Sequence, residues 1–120
     1  MWFLPILGLI IGVLIGSSLT FQLPDIYVKY MSIAVLASLD SVFGGIRSIL
    51  EDNFDGTVLL TGFFTNALLA ALLAYLGDRL GVDLYYAAVF AFGVRLFQNL
   101  AAIRHKILVQ YRNKKNLRMR

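Results

Sequence analysis

Cysteine is absent from the 120 residues, so disulfides, thiol nucleophiles and thiolate metal sites are excluded. Histidine occurs once, as His105, inside a basic run where a solvated role is expected. Charge is scarce at 15% of residues, against 59% hydrophobic residues and a mean hydropathy of +0.76. A soluble chain this small has too much surface to hide so much apolar side chain, so lipid must replace water over much of it. Acidic residues are missing after Asp83, whereas seven of the eleven Lys and Arg residues fall in the last seventeen positions. That asymmetry carries more information than the net charge of +4.

Trp2 to Phe21 holds no charge over twenty residues, enough to cross ~30 Å of hydrocarbon. A secretory signal would open on basic residues, and none precedes Leu7. Gly8, Gly12 and Gly16 recur every fourth position and form one ridge without side chains, a surface another helix can approach closely. Pro24 and Asp25 suit the entrance of a second helix. Tyr27 and Tyr30 fit the aromatic belt at the water boundary.

The second segment, 26–50, carries its charges where oil is expected. Asp40, Gly44, Arg47 and Glu51 share one helical face, and Leu36, Leu39, Val42, Phe43, Ile46, Ile49 and Leu50 form another. Such a helix either spans, turning its polar side to other helices, or stays re-entrant or flat at the surface. Glu51 to Gly56 is a polar turn without the spacing of a calcium loop. Asp55 or Thr57 caps the next helix. The span 58–76 is free of charge, with Gly62, Asn66, Ala70 and Ala74 on one small-residue face, where Asn66 needs a partner inside the bundle. Gly77 to Asp83 is expected to break the chain, with Asp83 capping a last span over 84–103. Arg95, Gln98 and Asn99 form a polar stripe there, and Asp40 is the natural counter-ion of Arg95 across the open ground of Gly44.

Arg104, Lys106, Arg112, Lys114, Lys115, Arg118 and Arg120 give the chain a basic end that prolongs the fourth helix. Basic flanks stay on the cytoplasmic side and attract anionic lipid. No folded nucleic-acid reader accompanies them, so nucleic acid is not an expected partner. The expected architecture is all-α: a membrane bundle of four helices over 1–103, followed by a basic cytoplasmic tail over 104–120.

These residues match a known pattern. SIAVLASLD (32–40), GGIR (44–47), TGFFTN (61–66), LGVDLY (80–85) and FGVRLFQNLAAIR (92–104) resemble the bacterial small basic protein family. Its members are multi-pass membrane proteins commonly encoded among cell-division and cell-envelope genes. The resemblance covers nearly the whole chain and agrees at polar positions inside membrane segments: Asp40, Arg47, Asn66, Arg95 and Asn99. It implies a plasma-membrane setting and transfers no catalytic residue.

Two functions are consistent with this reading. One is a scaffold or accessory subunit of a cell-envelope or cell-division assembly. It would act through small-residue helix faces that include Gly44, Gly45 and Gly62 and through its tail, as a homo-oligomer or with other membrane proteins. The other is an oligomeric channel or transporter subunit whose polar path is lined by Asp40, Arg47, Asn66, Arg95, Gln98 and Asn99. Enzymatic activity, a cofactor and a metal are not expected, because the lone histidine is in the tail and Asp40 is the one deep acid.

Overall fold

The computed structural model describes residues 3–19 and 22–119. The expectations that touch Trp2, Thr20, Phe21 and Arg120 lie outside the described residues. Four helices follow one another: α1 (Phe3–Ser18), α2 (Asp25–Leu50), α3 (Gly56–Leu80) and α4 (Tyr85–Arg118).

Local chemistry sets the ends. Pro24 precedes α2 with φ −56° and ψ 147°, and Asp25 sits in the first turn facing the helix's positive end. Asp52 takes a left-handed φ of 59° after the last turn of α2, a conformation that aspartate tolerates better than most residues. The Asp55 carboxylate accepts the N–H groups of Thr57 and Val58, so the expected cap on α3 forms. Gly81 stops α3 at φ 74°.

Three boundaries differ from the sequence reading. The span expected over 58–76 runs on through Gly77 to Leu80, so Gly77 does not break it. It is instead the point where the following turn folds back on the helix. Asp83 does not cap α4: Leu84 occupies that position with no side-chain cap bond. And α1 has 16 residues, or ~24 Å, short of the ~30 Å hydrocarbon layer, whereas α2, α3 and α4 are all long and apolar enough to cross it.

Contacts fix the directions. Lys29 at the start of α2 pairs with Asp78 near the end of α3, so these two run antiparallel. Asp40 pairs with Arg95, and Arg47 reaches Asn99, so α2 and α4 run parallel. Gly45 meets Pro5 of α1 and Leu59 of α3, which makes α1 antiparallel to α2. α2 therefore packs on all three other helices, while among the described residues α1 packs on α2 alone. α2 is an unbroken helix of 26 residues, ~39 Å long, long and apolar enough to cross the hydrocarbon layer, and it packs against the other three helices.

The interior combines alanines with two isoleucines, one phenylalanine and two buried polar side chains, Asp40 and Asn99, among the described residues. Ile33, Ala37, Ala70, Ala74, Ala88 and Phe92 form the buried core, with Tyr30, Leu36, Phe63, Ala67 and Tyr85 against it. Large apolar residues such as Ile26, Val35, Leu68, Leu72 and Phe97 point outward. This inversion is expected where lipid tails are as apolar as leucine and close backbone approach drives association.

The loop at 51–55 and the basic end of α4 lie on one face of the bundle. Lys29, Asp78, Asp83 and the tyrosine pair Tyr85–Tyr86 lie on the other. Single cysteines placed at Asn53 and at Val82 should thus react with an impermeant thiol reagent from opposite sides of a vesicle. Labelling of both from one side would refute this topology.

An intramembrane polar cleft

The candidate site is built on the middle of α2. Its position at the centre of the bundle brings one face, Asp40–Gly44–Arg47, against α4. Asp40 is buried, at 4% exposure, and its Oδ2 lies 3.3 Å from Nη2 of Arg95. The other carboxylate oxygen, Oδ1, is buried without a hydrogen-bond partner. Arg95 is half-exposed, so the carboxylate is the enclosed member of the pair.

One turn further along, Arg47 Nη1 donates to Asn99 Oδ1 at 3.3 Å, and Arg47 Nε donates to Glu51 Oε1 at 3.1 Å. Gly44 makes this approach possible. A Cβ there would come 3.6 Å from the Asn99 amide nitrogen, ordinary van der Waals contact. Ser32, Ser38 and Ser48 turn their hydroxyls back onto carbonyls of their own helix, at Val28, Ala34 and Gly45.

Between α2, α3 and α4 these groups border a cleft of about 310 Å³. Asp40, Ser41, Gly44 and Ser48 line it from α2, Gly62, Phe63 and Asn66 from α3, and Arg95 from α4. Asn53 and Asp55 of the connecting loop stand at its edge.

The expected network thus comes together in part. Asp40 with Arg95, and Arg47 with Asn99, are joined. Asn66 shares the cleft, but among the described residues the side-chain hydrogen bonds between helices are Arg47–Asn99 and Lys29–Asp78, and Asn66 is in neither. Gln98 sits on the exposed side of α4, outside the cleft. Of the glycines, Gly44 and Gly45 are in close contact, whereas a Cβ at Gly8, Gly12, Gly16 or Gly62 would meet nothing within 4 Å. Those four are not packing points inside one chain. Arg104, Arg112, Lys114, Lys115 and Arg118 are exposed on the helical extension, with Lys106 half-buried.

Sequence reasoning missed the Lys29–Asp78 pair, 2.7 Å apart, with Lys29 also 5.6 Å from the Tyr85 ring centre. Nothing in the spacing of positions 29 and 78 signals it. Ser41 was also missed, and its only signal is its place beside Asp40. Among the described residues no three His, Asp or Glu side chains gather as a metal site would need.

A helical bundle with an inverted interior, apolar flanks and a mid-depth ion pair defines a small polytopic membrane protein. The chain belongs to the DUF1290 family, described as a protein of unknown function, which matches residues 23–108. It is 51% identical over 121 residues to the small basic protein of Bacillus subtilis strain 168, covering 98% of this chain and 99% of that one. Uncharacterised proteins of Mycobacterium bovis and Mycobacterium tuberculosis H37Rv are each 41% identical over 104 residues, covering 85% of this chain and 86% of theirs. No solved structure matches. The resemblance noted from the residues alone is thereby confirmed.

Proposed function

We propose that this protein is a membrane scaffold or accessory subunit of a cell-envelope or cell-division assembly. It works by helix–helix association, with its basic end on the cytoplasmic side. The observation that carries this reading is the unmet ridge of α1. Among the described residues a Cβ at Gly8, Gly12 or Gly16 meets nothing within 4 Å, α1 packs on α2 alone, and Gly8 and Gly12 line an open apolar groove beside α2. A ridge of this kind gains its packing energy when another transmembrane helix closes on it. The partner is a second copy or another membrane protein. The exposed cations from Arg104 to Arg118 suit anionic headgroups on the same side, each worth ~1 kcal/mol near such a surface. No step of this role requires a nucleophile, a cofactor or a metal.

The test is association in mild detergent or in nanodiscs. Wild-type protein is expected to cross-link to itself or to retain a membrane partner. Gly12→Leu is expected to lower that association about tenfold or more, by holding helix backbones apart. The same change should not unfold the monomer, since a Cβ at position 12 meets nothing within 4 Å and replacing a glycine inside a helix favours the helix by up to about 1 kcal/mol. Recovery of monomer alone from wild-type membranes would overturn the reading.

A channel or transporter subunit is the competing role, favoured by the polar cleft. A path through one chain would have to cross the layer of Ile33, Ala37, Ala70, Ala74, Ala88 and Phe92, which fills the bundle between the cleft and Lys29. The scaffold reading needs no such opening.

A further inference from the structure

The bundle is closed and apolar on one half and open with polar lining on the other. Toward Lys29 and Asp78, the three long helices close on buried alanines, Ile33 and Phe92. Toward the tail side, the same helices part around the cleft that holds Asp40, Ser41, Asn66 and Arg95. The change occurs within one helical turn on each helix: from Ala37 to Asp40 on α2, from Ala70 to Asn66 on α3, and from Phe92 to Arg95 on α4.

We propose that this cleft is a blind, water-filled inlet, open to the tail side and ending at the Asp40–Arg95 pair near the middle of the membrane. Three observations carry it. First, Asp40 is nine-tenths buried, borders the cleft, and has one oxygen without a donor. In hydrocarbon such an atom has no compensation, whereas a water that shifts into the cleft floor supplies it. Second, Ser41 and Asn66 bring a hydroxyl and an amide to the same space, and a water needs two to four polar partners of this kind. Third, about 310 Å³ is room for roughly ten waters at ~30 Å³ each, and the far edge reaches Asn53 and Asp55 in the polar connecting loop.

The half-exposed guanidinium of Arg95 is explained in the same way. Its free N–H groups are hydrated from the inlet while one nitrogen holds Asp40. The inlet makes a carboxylate–guanidinium pair at membrane depth accessible to small polar solutes from one side only. It does not depend on the scaffold reading: a monomer that binds no partner would keep it, and association through α1 would not close it.

The absence of native cysteine makes the test direct. Single-cysteine variants Ser41→Cys and Asn66→Cys are placed in the cleft. Phe64→Cys faces lipid on α3, Ala74→Cys lies in the dry layer, and Asn53→Cys reports the loop. Each is reconstituted in oriented vesicles and treated with a small membrane-impermeant thiol reagent. Positions 41 and 66 are expected to react from the tail side within about tenfold of position 53, because water lets the thiol ionise and carries the reagent to it. From the opposite side they should react about a hundredfold more slowly, as should positions 64 and 74 from either side, where no water reaches. Reaction of 41 and 66 as slow as that of 64 would overturn the proposal, as would equal reaction from both sides. Should both cleft variants fail to fold, water-edited solid-state NMR of the wild-type chain decides. Transfer from water to the Asn66 amide and Ser41, but not to Ala74, supports the inlet, and equal transfer or none overturns it.

Discussion

Arg95→Ala is expected to destabilise the bundle by about 3–5 kcal/mol, the usual loss when one partner of a buried ion pair is removed. The enclosed partner is Asp40, at 4% exposure, and its Oδ1 has no donor already. Without Arg95 its Oδ2 loses its cation as well, leaving a carboxylate unmatched at membrane depth. Asp40→Asn should cost less, about 1–2 kcal/mol, since the half-exposed Arg95 can still snorkel toward water. Combining Asp40→Asn with Arg95→Gln removes both charges and should recover most of the loss, because the penalty comes from the unpaired charge and not from the absence of attraction. Unfolding in bicelles or nanodiscs measures all three. An Arg95→Ala protein as stable as wild type would show that the pair is not what holds α2 to α4 at this level. Water in the cleft would bring the loss toward the lower end of the range, so the size of the effect also bears on the inlet.

The second large effect is expected at Gly77. A Cβ there would lie 2.5 Å from the Val82 carbonyl oxygen and 3.0 Å from both Leu84 N and Leu84 Cβ. Two of these are backbone atoms in a turn that is itself held by Val82 N–H donating to Gly77 O and Leu84 N–H donating to Val82 O. No rotamer change can relieve the clash, so Gly77→Ala must open the α3–α4 connection. A loss of about 2–3 kcal/mol is expected, the upper part of the range for overpacking. The control is Gly62→Ala, where the added methyl meets nothing. It should stabilise α3 by about 0.5–1 kcal/mol, since glycine is the poorer helix former. Equal effects at the two positions would refute this account of the turn.

The contrast between these glycines shows where sequence reading stops. Both lie in α3, Gly62 on the small-residue face expected of the span and Gly77 in the stretch expected to end it. Gly77 was expected to end the helix. It lies inside instead, because the stop signal belongs to Gly81, the one glycine with a left-handed φ. Which of two nearby glycines a turn uses depends on where the chain must go next, and that is fixed by α4 docking beside α2. The Asp55 cap, by contrast, was legible, because a cap is completed by atoms two and three residues away.

The candidate site divides in the same way. The Asp40–Arg95 pair could be foreseen, since two opposite charges at mid-span have few other ways to be tolerated. The two-sided character of the interior could not. Gly62, Asn66, Ala70 and Ala74 repeat evenly along α3, yet Ala70 and Ala74 are sealed while Gly62 and Asn66 border open space. The ridge Gly8–Gly12–Gly16 is regular too, and its own chain leaves it bare.

What the sequence by itself determined is the medium and the inventory: a chain too apolar for water, its helices, its basic end, and a few ionisable groups in segments that must cross oil. Those follow from composition and from spacing within single helices. Only the tertiary structure decided that α2 is the helix on which the other three pack, that alanines with Ile33 and Phe92 close one half of the bundle, and that a polar cleft opens on its tail side. These depend on which helix faces meet, and between helices in lipid that is settled by close packing at small residues, for which an even spacing of glycine and alanine carries no address.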